Sequence, residues 1–243
     1  MARTSIASVS KHAVRRGLAR VGLSLERAPN RLGAPYHLAR LLETYRADCV
    51  LDVGANRGQF ASMLRGAGYR GPLISFEPVP EAYVELARLA AKDPLWTTHQ
   101  VALGDQPGML TMNVAMSSSV SSFLPPTDDY LATYEGMRTK RAEEVPVETL
   151  DRLASELPYE RIFLKIDTQG YDLRVLAGAS ALVDRVVGIE IEMSVIPIYE
   201  GSPYYIESLT TMRELGFTPS GIFPVESDPR MRAYEFDGVF VRS

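Results

Sequence analysis

Short apolar runs alternate with stretches of helical periodicity along most of the chain. Cys49–Val53, Leu73–Phe76, Val101–Leu103, Ile162–Ile166 and Val186–Ile191 are each largely apolar, and they stop at Gly54, Glu77, Gly104, Asp167 and Glu192. Runs of this length read as strands buried on both faces. Between them Phe60, Met63, Leu64 and Ala67 make one helical apolar stripe. Ala82, Leu86, Leu89 and Ala90 make a second, and Leu173, Leu176, Ala177 and Leu182 a third. Such alternation predicts a parallel sheet covered by helices on both faces.

Two regions break the rhythm. Phe217–Val225 and Glu235–Val241 flank Glu226-Ser227-Asp228-Pro229 and predict a closing antiparallel hairpin. Residues 106–148 hold two strand-like runs, Met109–Val114 and Val145–Val147, around a serine-rich stretch, Ser117–Ser122, followed by Pro125-Pro126. Such a segment reads as an added β-pair carrying a long loop, and loops of that length in a compact domain are usually functional or disordered. No internal repeat and no second domain stand out.

At the N-terminus Ile6, Val9, Ala13, Val14, Leu18, Val21 and Leu25 recur at helical spacing, and a second helix is expected over about 35–46. Residues 1–40 carry eight Lys or Arg against one acid, a net of +7, so the remainder carries −11 within the overall −4. A basic amphipathic segment, residues 1–28, suits contact with an anionic membrane surface. It equally suits packing on its own domain or across an oligomer. We therefore divide the chain into a basic helical extension, 1–46, and a main domain, 47–243.

Composition narrows the function. The chain has 243 residues, 46% of them hydrophobic and 23% charged, which is ordinary for a globular domain. The single cysteine, Cys49, excludes an internal disulfide framework and a cysteine-rich zinc site. No apolar run reaches the roughly 18 residues of a membrane span. Lys11, Arg15, Arg16 and Arg20 interrupt any signal-peptide core. A cytoplasmic protein, with contact at the inner face of the membrane through residues 1–28, is the expectation. The acidic body argues against a nucleic-acid partner.

The first strand and turn carry the sharpest chemistry. Asp52-Val53-Gly54-Ala55-Asn56-Arg57-Gly58 follows a buried strand and opens a helix. Gly54 permits a tight turn and close approach of a ligand. The helix start offers free N–H groups. In a doubly wound sheet this turn is where ligands bind. Asp52 before the turn disfavours a pyrophosphate and suits a cationic amino group. Glu77, ending the second strand, suits a pair of ribose hydroxyls. A nucleoside with an α-amino group at its other end answers to both, so S-adenosylmethionine fits and a nicotinamide dinucleotide fits poorly. The plainer alternative is that Gly54 and Gly58 ease packing while Glu77 caps the next turn.

The ordered set D-V-G-A-N-R-G-Q-F, S-F-E-P, V-A-L-G-D, V-E-T-L-D and L-K-I-D-T-Q-G-Y-D resembles the FkbM-type methyltransferases over about residues 48–243. The resemblance implies a class I S-adenosylmethionine-dependent methyltransferase fold: α/β, Rossmann-like and doubly wound, with a mostly parallel seven-stranded sheet and an antiparallel last strand. It implies that Asp52, Gly54, Asn56 and Gly58 line the methionine and ribose side, and that Glu77 holds the ribose. Ala102 and Leu103 would face the adenine, with Asp105 a weaker candidate for its amino group.

A second cluster ends the fourth strand. Alternation puts Lys165 and Asp167 on one side, and Glu190 and Glu192 share a side of the neighbouring strand. Methylating an alcohol requires removal of its proton, by a base or with help from a metal. Asp167 is the leading catalytic candidate, with Lys165 and Glu192 beside it. Asp167 with Glu190 or Glu192 is a candidate site for Mg2+, Asp167 and Glu192 being the preferred ligands. Alternatively Lys165 pairs with Glu190 or Glu192 and simply secures the sheet. His99 is expected to pack rather than react, and His37 is a candidate to reach over the pocket. The acceptor pocket is expected from Ser117–Ser122, Tyr130, Tyr134 and Ser194–Tyr205.

These readings converge on an O-methyltransferase acting on a sugar hydroxyl of a glycolipid or other glycoconjugate. The alternatives are a non-sugar secondary-metabolite hydroxyl and an inactive nucleoside-binding scaffold.

Overall fold

In the computed structural model, residues 33–155, 157–227 and 231–243 are described. Residues 1–32, which hold the basic amphipathic segment, lie outside them. The strands are β1 (Cys49–Val53), β2 (Leu73–Phe76), β3 (Trp96–His99), β4 (Ala102–Leu103), β5 (Gly108–Ala115), β6 (Thr139–Glu148), β7 (Ile162–Ile166), β8 (Val186–Ser194), β9 (Phe217–Ser227) and β10 (Ala233–Arg242). The α-helices are α1 (Ala34–Thr44), α2 (Gln59–Gly66), α3 (Pro80–Ala90), α4 (Asp128–Leu131), α5 (Leu150–Ala154), α6 (Asp172–Ala177) and α7 (Tyr205–Glu214).

Seven strands form one sheet in the order β3-β2-β1-β7-β8-β10-β9. β1 runs parallel to β2 and β7, and β7 parallel to β8, whereas β10 is antiparallel to both β8 and β9. The order in which strands are added reverses between β1 and β7, and the crevice there is where ligands bind in such folds. The expected mostly parallel sheet with an antiparallel last strand is present.

Strand alternation divides the core between the two faces. Val50, Phe163 and Val239 pack with Leu38, Leu41, Leu64 and Leu86 of α1, α2 and α3. Leu51, Leu164 and Ile189 pack on the other face with Val175, Leu176 and Met212 of α6 and α7. With apolar layers on both sides, β1 and β7 are buried at every position. This explains their unbroken apolar sequences. α1 begins with Pro35, whose fixed φ favours the first helical turn. Its buried Leu38, Leu41 and Leu42 belong to the main core, although the helix precedes residue 47. Among the described residues no helix is long and apolar enough to cross a membrane.

One strand assignment changes. Val101–Leu103 was expected as the third strand of the main sheet. That place is taken by Trp96–His99, paired in parallel with β2. Ala102 and Leu103 instead pair with Val147 and Glu148 of β6 in a separate sheet ordered β4-β6-β5. The physical reason is position: β3 is an edge strand, buried at Trp96 and exposed at Thr97 and His99, so it lacks the apolar run of a central strand. β5 and β6 form the added antiparallel pair.

Candidate active site

A cleft of about 330 Å³ opens at the carboxyl ends of β1, β2 and β7. That volume lies at the lower end of the range for small-molecule sites. Gly54, Asn56, Glu77, Ala102, Leu103, Lys165 and Asp167 all line it. Asp52, Gly58 and Glu192 do not.

Two turns meet at its floor. Gly54 has φ +74°, and a Cβ there would stand 1.9 Å from the Asp167 carbonyl oxygen. Only glycine lets β1 leave the sheet so close to the end of β7. Gly54 N and Ala55 N both donate to the Phe76 carbonyl, binding the turn to β2. Gly58, at φ +85°, opens α2, and a Cβ there would come within 2.9 Å of the Trp96 ring. Gly58 thus admits the indole against the helix start.

Glu77 sits at the end of β2 with both oxygens engaged. Oε2 accepts from Asn56 N at 2.7 Å and Oε1 from Val79 N at 2.8 Å. Burial raises its pKa to about 7, against the pull of those two amides. It therefore caps the next turn, as the plainer alternative held, and also lines the cleft. On this side Ala102, Leu103, Val101, Phe76 and Phe123 make an apolar wall, joined by Met112 from β5, which the sequence reading missed. Asp105 is not part of it, since Arg174 Nη1 donates to Asp105 Oδ2 at 2.8 Å.

Asp52 is fully buried behind the cleft. Its Oδ2 accepts from the Ser75 hydroxyl at 3.0 Å, and that hydroxyl accepts from Trp96 Nε1 at 3.0 Å. Its Oδ1 faces Lys165 Nζ at 3.4 Å. The cation opposite Asp52 in the structure is the chain's own lysine. Burial raises the Asp52 pKa, opposed by Lys165 and Ser75.

Lys165 Nζ also lies 3.3 Å from Asp167 Oδ2 and donates to the Gly54 carbonyl at 3.2 Å. Burial disfavours its charge, but Asp167, Asp52 and Glu190 together outweigh that and raise its pKa. The alternative pairing of Lys165 with Glu190 or Glu192 is corrected accordingly. Glu190 stands opposite Lys165 in the β7–β8 register, but the directed contacts of the ammonium go to the two aspartates and Gly54.

Gln169 joins the two remaining carboxylates. Its Nε2 donates to Asp167 Oδ1 at 2.8 Å and to Glu192 Oε2 at 2.9 Å. Its Oε1 accepts from the Tyr199 hydroxyl at 2.7 Å, and its carbonyl accepts from the Ser122 hydroxyl at 2.7 Å. Gln169 has φ +56° and Gly170 φ +87°. Asp172 holds this turn by accepting from Thr168 N at 2.9 Å and Gly170 N at 3.1 Å. Burial and the nearby Asp167 and Glu235 carboxylates raise the Glu192 pKa well above its usual range. As arranged, Asp167 and Glu192 do not fit a resident cation: an amide donor already bridges them. Among the described residues no group of three or more His, Cys, Asp or Glu side chains is placed to hold a metal.

The serine-rich loop spans both turns. Ser118, Ser119 and Ser121 line the cleft, and the Ser118 hydroxyl donates to Asn56 Oδ1 at 3.1 Å. The expected tyrosine pocket is not assembled. Tyr130, Ile198 and Tyr199 are buried in a small core beneath this loop. Tyr134 and Tyr204 are exposed. None of these tyrosines lines the cleft. His99 stacks on Phe76 at 5.3 Å, as expected of a packing residue. His37 Nε2 lies 2.9 Å from Ser220 Oγ on β9, so α1 reaches the rim through Ala34 and Pro35 instead.

A glycine-turned cleft with an acid at the end of β2 and a lysine–carboxylate cluster at the end of β7 defines a methyltransferase-type site on an α/β sheet. The family model described as the methyltransferase FkbM domain matches residues 52–219, and the chain belongs to that family. It is an S-adenosylmethionine-dependent methyltransferase. A search among curated proteins found no significant match.

Solved structures of similar shape include an rRNA methylase from Streptococcus thermophilus, with 9% identity, TM-score 0.46, and 86% of this chain and 97% of that one covered. A TehB-like SAM-dependent methyltransferase from Corynebacterium glutamicum shares 12% identity at TM-score 0.42, with 98% and 100% covered. Magnesium protoporphyrin IX methyltransferase from Synechocystis, with bound SAM, shares 11% at TM-score 0.46, with 99% and 100% covered. Nothing about the acceptor rests on these likenesses.

Proposed function

We propose that the chain transfers a methyl group to a hydroxyl of a sugar on a glycoconjugate, with a glycolipid as the preferred class. The observation that carries this reading is Asp167. Its side chain keeps 37% of its exposure while Lys165 and Gln169 hold it at the cleft end of β7. S-adenosylmethionine, held on the Gly54–Asn56 and Glu77 side, supplies an electrophilic methyl group when bound.

The chain's residues provide the rest. Asp167 accepts the proton as the acceptor oxygen attacks, a role worth about 10²–10⁴-fold in rate. Lys165, 3.3 Å from Asp167 Oδ2, holds the side chain at the strand end, and Gln169 fixes the rotation of the carboxylate. Glu192 buttresses Gln169 from β8. Proton removal is assigned to the carboxylate because the Gln169 amide stands between Asp167 and Glu192, where a bridging cation would have to sit. The glycolipid preference rests on the basic amphipathic pattern of residues 1–28.

The test is incubation with S-adenosylmethionine and a panel of deoxysugar glycolipids, free methyl glycosides and aglycone alcohols, with and without a chelator. Mass spectrometry and NMR then locate the new methyl. The reading expects an O-methyl sugar formed equally well with the chelator present. Transfer only to aglycones would replace it with the secondary-metabolite reading. No transfer to any hydroxyl would overturn it.

A further inference from the structure

At the β8–β10 end of the cleft two carboxylates have no role in the chemistry above. Glu190 is 6% exposed, lines the cleft, and accepts no hydrogen bond from any described residue; its Oε2 is wholly buried. Asp237, on β10, lines the same end and likewise accepts none. A buried acceptor left without a donor is costly, and native structures rarely keep one without a use. The lysine opposite Glu190 does not discharge the debt, since its directed contacts go elsewhere.

We propose that Glu190 and Asp237 form the subsite that holds the non-reacting hydroxyls of a cyclic polyol acceptor, beside the reacting hydroxyl at Asp167. This rests on the hydroxyl-methylation reading above and names the residues that recognise its substrate.

Placement supports it. Val239 is the partner of Glu190 across β8 and β10, and Asp237 lies two residues before it. The two side chains are thus diagonal neighbours, roughly 7–8 Å apart at their bases. Asp167 directly follows β7, and Glu190 and Asp237 stand on β8 and β10, the next two strands of the sheet. A single ammonium group reaches one or two such carboxylates. A ring bearing several hydroxyls reaches all three and supplies one proton donor to each. Burial first, then the charge of Asp237, raises the Glu190 pKa to about 8. A carboxyl of that kind near neutral pH both donates and accepts, which matches a hydroxyl better than a cation.

The apolar walls at this end also suit a sugar ring. Phe60, Met63 and Pro35 line the cleft, and the Phe60 ring centroid lies 5.5 Å from Lys165 Nζ.

The test uses the full chain saturated with S-adenosylhomocysteine, with binding read by saturation-transfer NMR. The probes are methyl α-L-rhamnopyranoside, 2-methoxytetrahydropyran as the same ring without hydroxyls, and ethanolamine as a small cation. The proposal expects the glycoside alone to bind. Glu190→Ala and Asp237→Asn should each weaken it about tenfold, the loss of one good hydrogen bond, with affinity for S-adenosylhomocysteine unchanged. Glycoside affinity unchanged in both variants overturns the proposal. So does preferential binding of ethanolamine, or loss of S-adenosylhomocysteine affinity with the glycoside retained, either of which assigns the pair to a cationic group. Should Glu190→Ala fail to fold, Asp237→Asn, at a half-buried position, reads the subsite alone. Binding without transfer to any hydroxyl keeps the subsite and rejects the reaction, so the two failures are distinguishable.

Discussion

Gly54 and Asp167 lie so close that a methyl group on the first would stand 1.9 Å from the carbonyl oxygen of the second. The donor-side turn and the chemistry-bearing turn are therefore a single packed unit. Replacing Gly54 by alanine adds left-handed strain of about 1–2 kcal/mol to a clash against backbone that cannot swing aside. We expect Gly54→Ala to lower the melting temperature and abolish donor binding together. Scanning calorimetry with and without S-adenosylmethionine checks this; a variant of wild-type stability and affinity would show that the two turns move independently.

Lys165 neutralises a fully buried acid. Removing one partner of a buried pair leaves an uncompensated charge, at a cost of about 3–5 kcal/mol. Lys165→Met is expected to destabilise by that order, and the double variant Asp52→Asn/Lys165→Met to recover much of it. Chemical denaturation of the four proteins in the cycle checks the coupling. Trp96 is the only tryptophan and is joined to Asp52 through Ser75, so its emission should shift in both Asp52 variants. Additive effects would mean that the pair contributes nothing as a pair.

Gln169 links Asp167, Glu192 and Tyr199 through one amide. Gln169→Ala should lower kcat by roughly ten- to a hundredfold, within the span of general-base catalysis, while leaving donor affinity unchanged. Gln169→Glu should place three carboxylates together and create divalent-cation binding that the wild type lacks. Calorimetric titration with magnesium checks the second expectation. A wild-type protein that binds magnesium at this site would contradict the assignment of Gln169 as the bridge.

Much of this was legible in the sequence because the central strands are buried on both faces and must be apolar. The turn at Gly54 was legible because few other functions require that spacing after a buried strand. β3 was misplaced because an edge strand carries half the apolar signal, so the run at Val101–Leu103 took its place. Asp237 was missed because it belongs to the last hairpin, far along the chain from Asp167, and only the β8–β10 register brings the two together. An isolated acid in the run Phe236–Val241 was the available signal. The bridging role of Gln169 had none, since it depends on a backbone conformation, φ +56°, that residue type does not announce.

Stability should depend on pH in a particular sense. Asp237 is raised to about 6, Glu77 to about 7 and Glu190 to about 8, all above ordinary carboxylates, with burial the leading cause. Each favours the protonated folded form, so its contribution is present in full below the ordinary carboxylate pKa and is lost as pH rises through the folded value. The ligand-free protein should therefore lose melting temperature from about pH 4.5 to pH 8, and Glu190→Gln should flatten the upper part of that slope. A melting temperature rising across this window would contradict the burial assigned to these groups.

The central claim is that the Gly54–Glu77 side of the cleft holds a methyl donor whose transfer needs no resident cation. Calorimetric titration of the full chain with S-adenosylmethionine, with and without magnesium, tests it most directly. The account predicts binding in the micromolar range, indifferent to magnesium and abolished by Glu77→Ala in a folded protein. No heat from the folded wild type, or binding that appears only with magnesium, would contradict it.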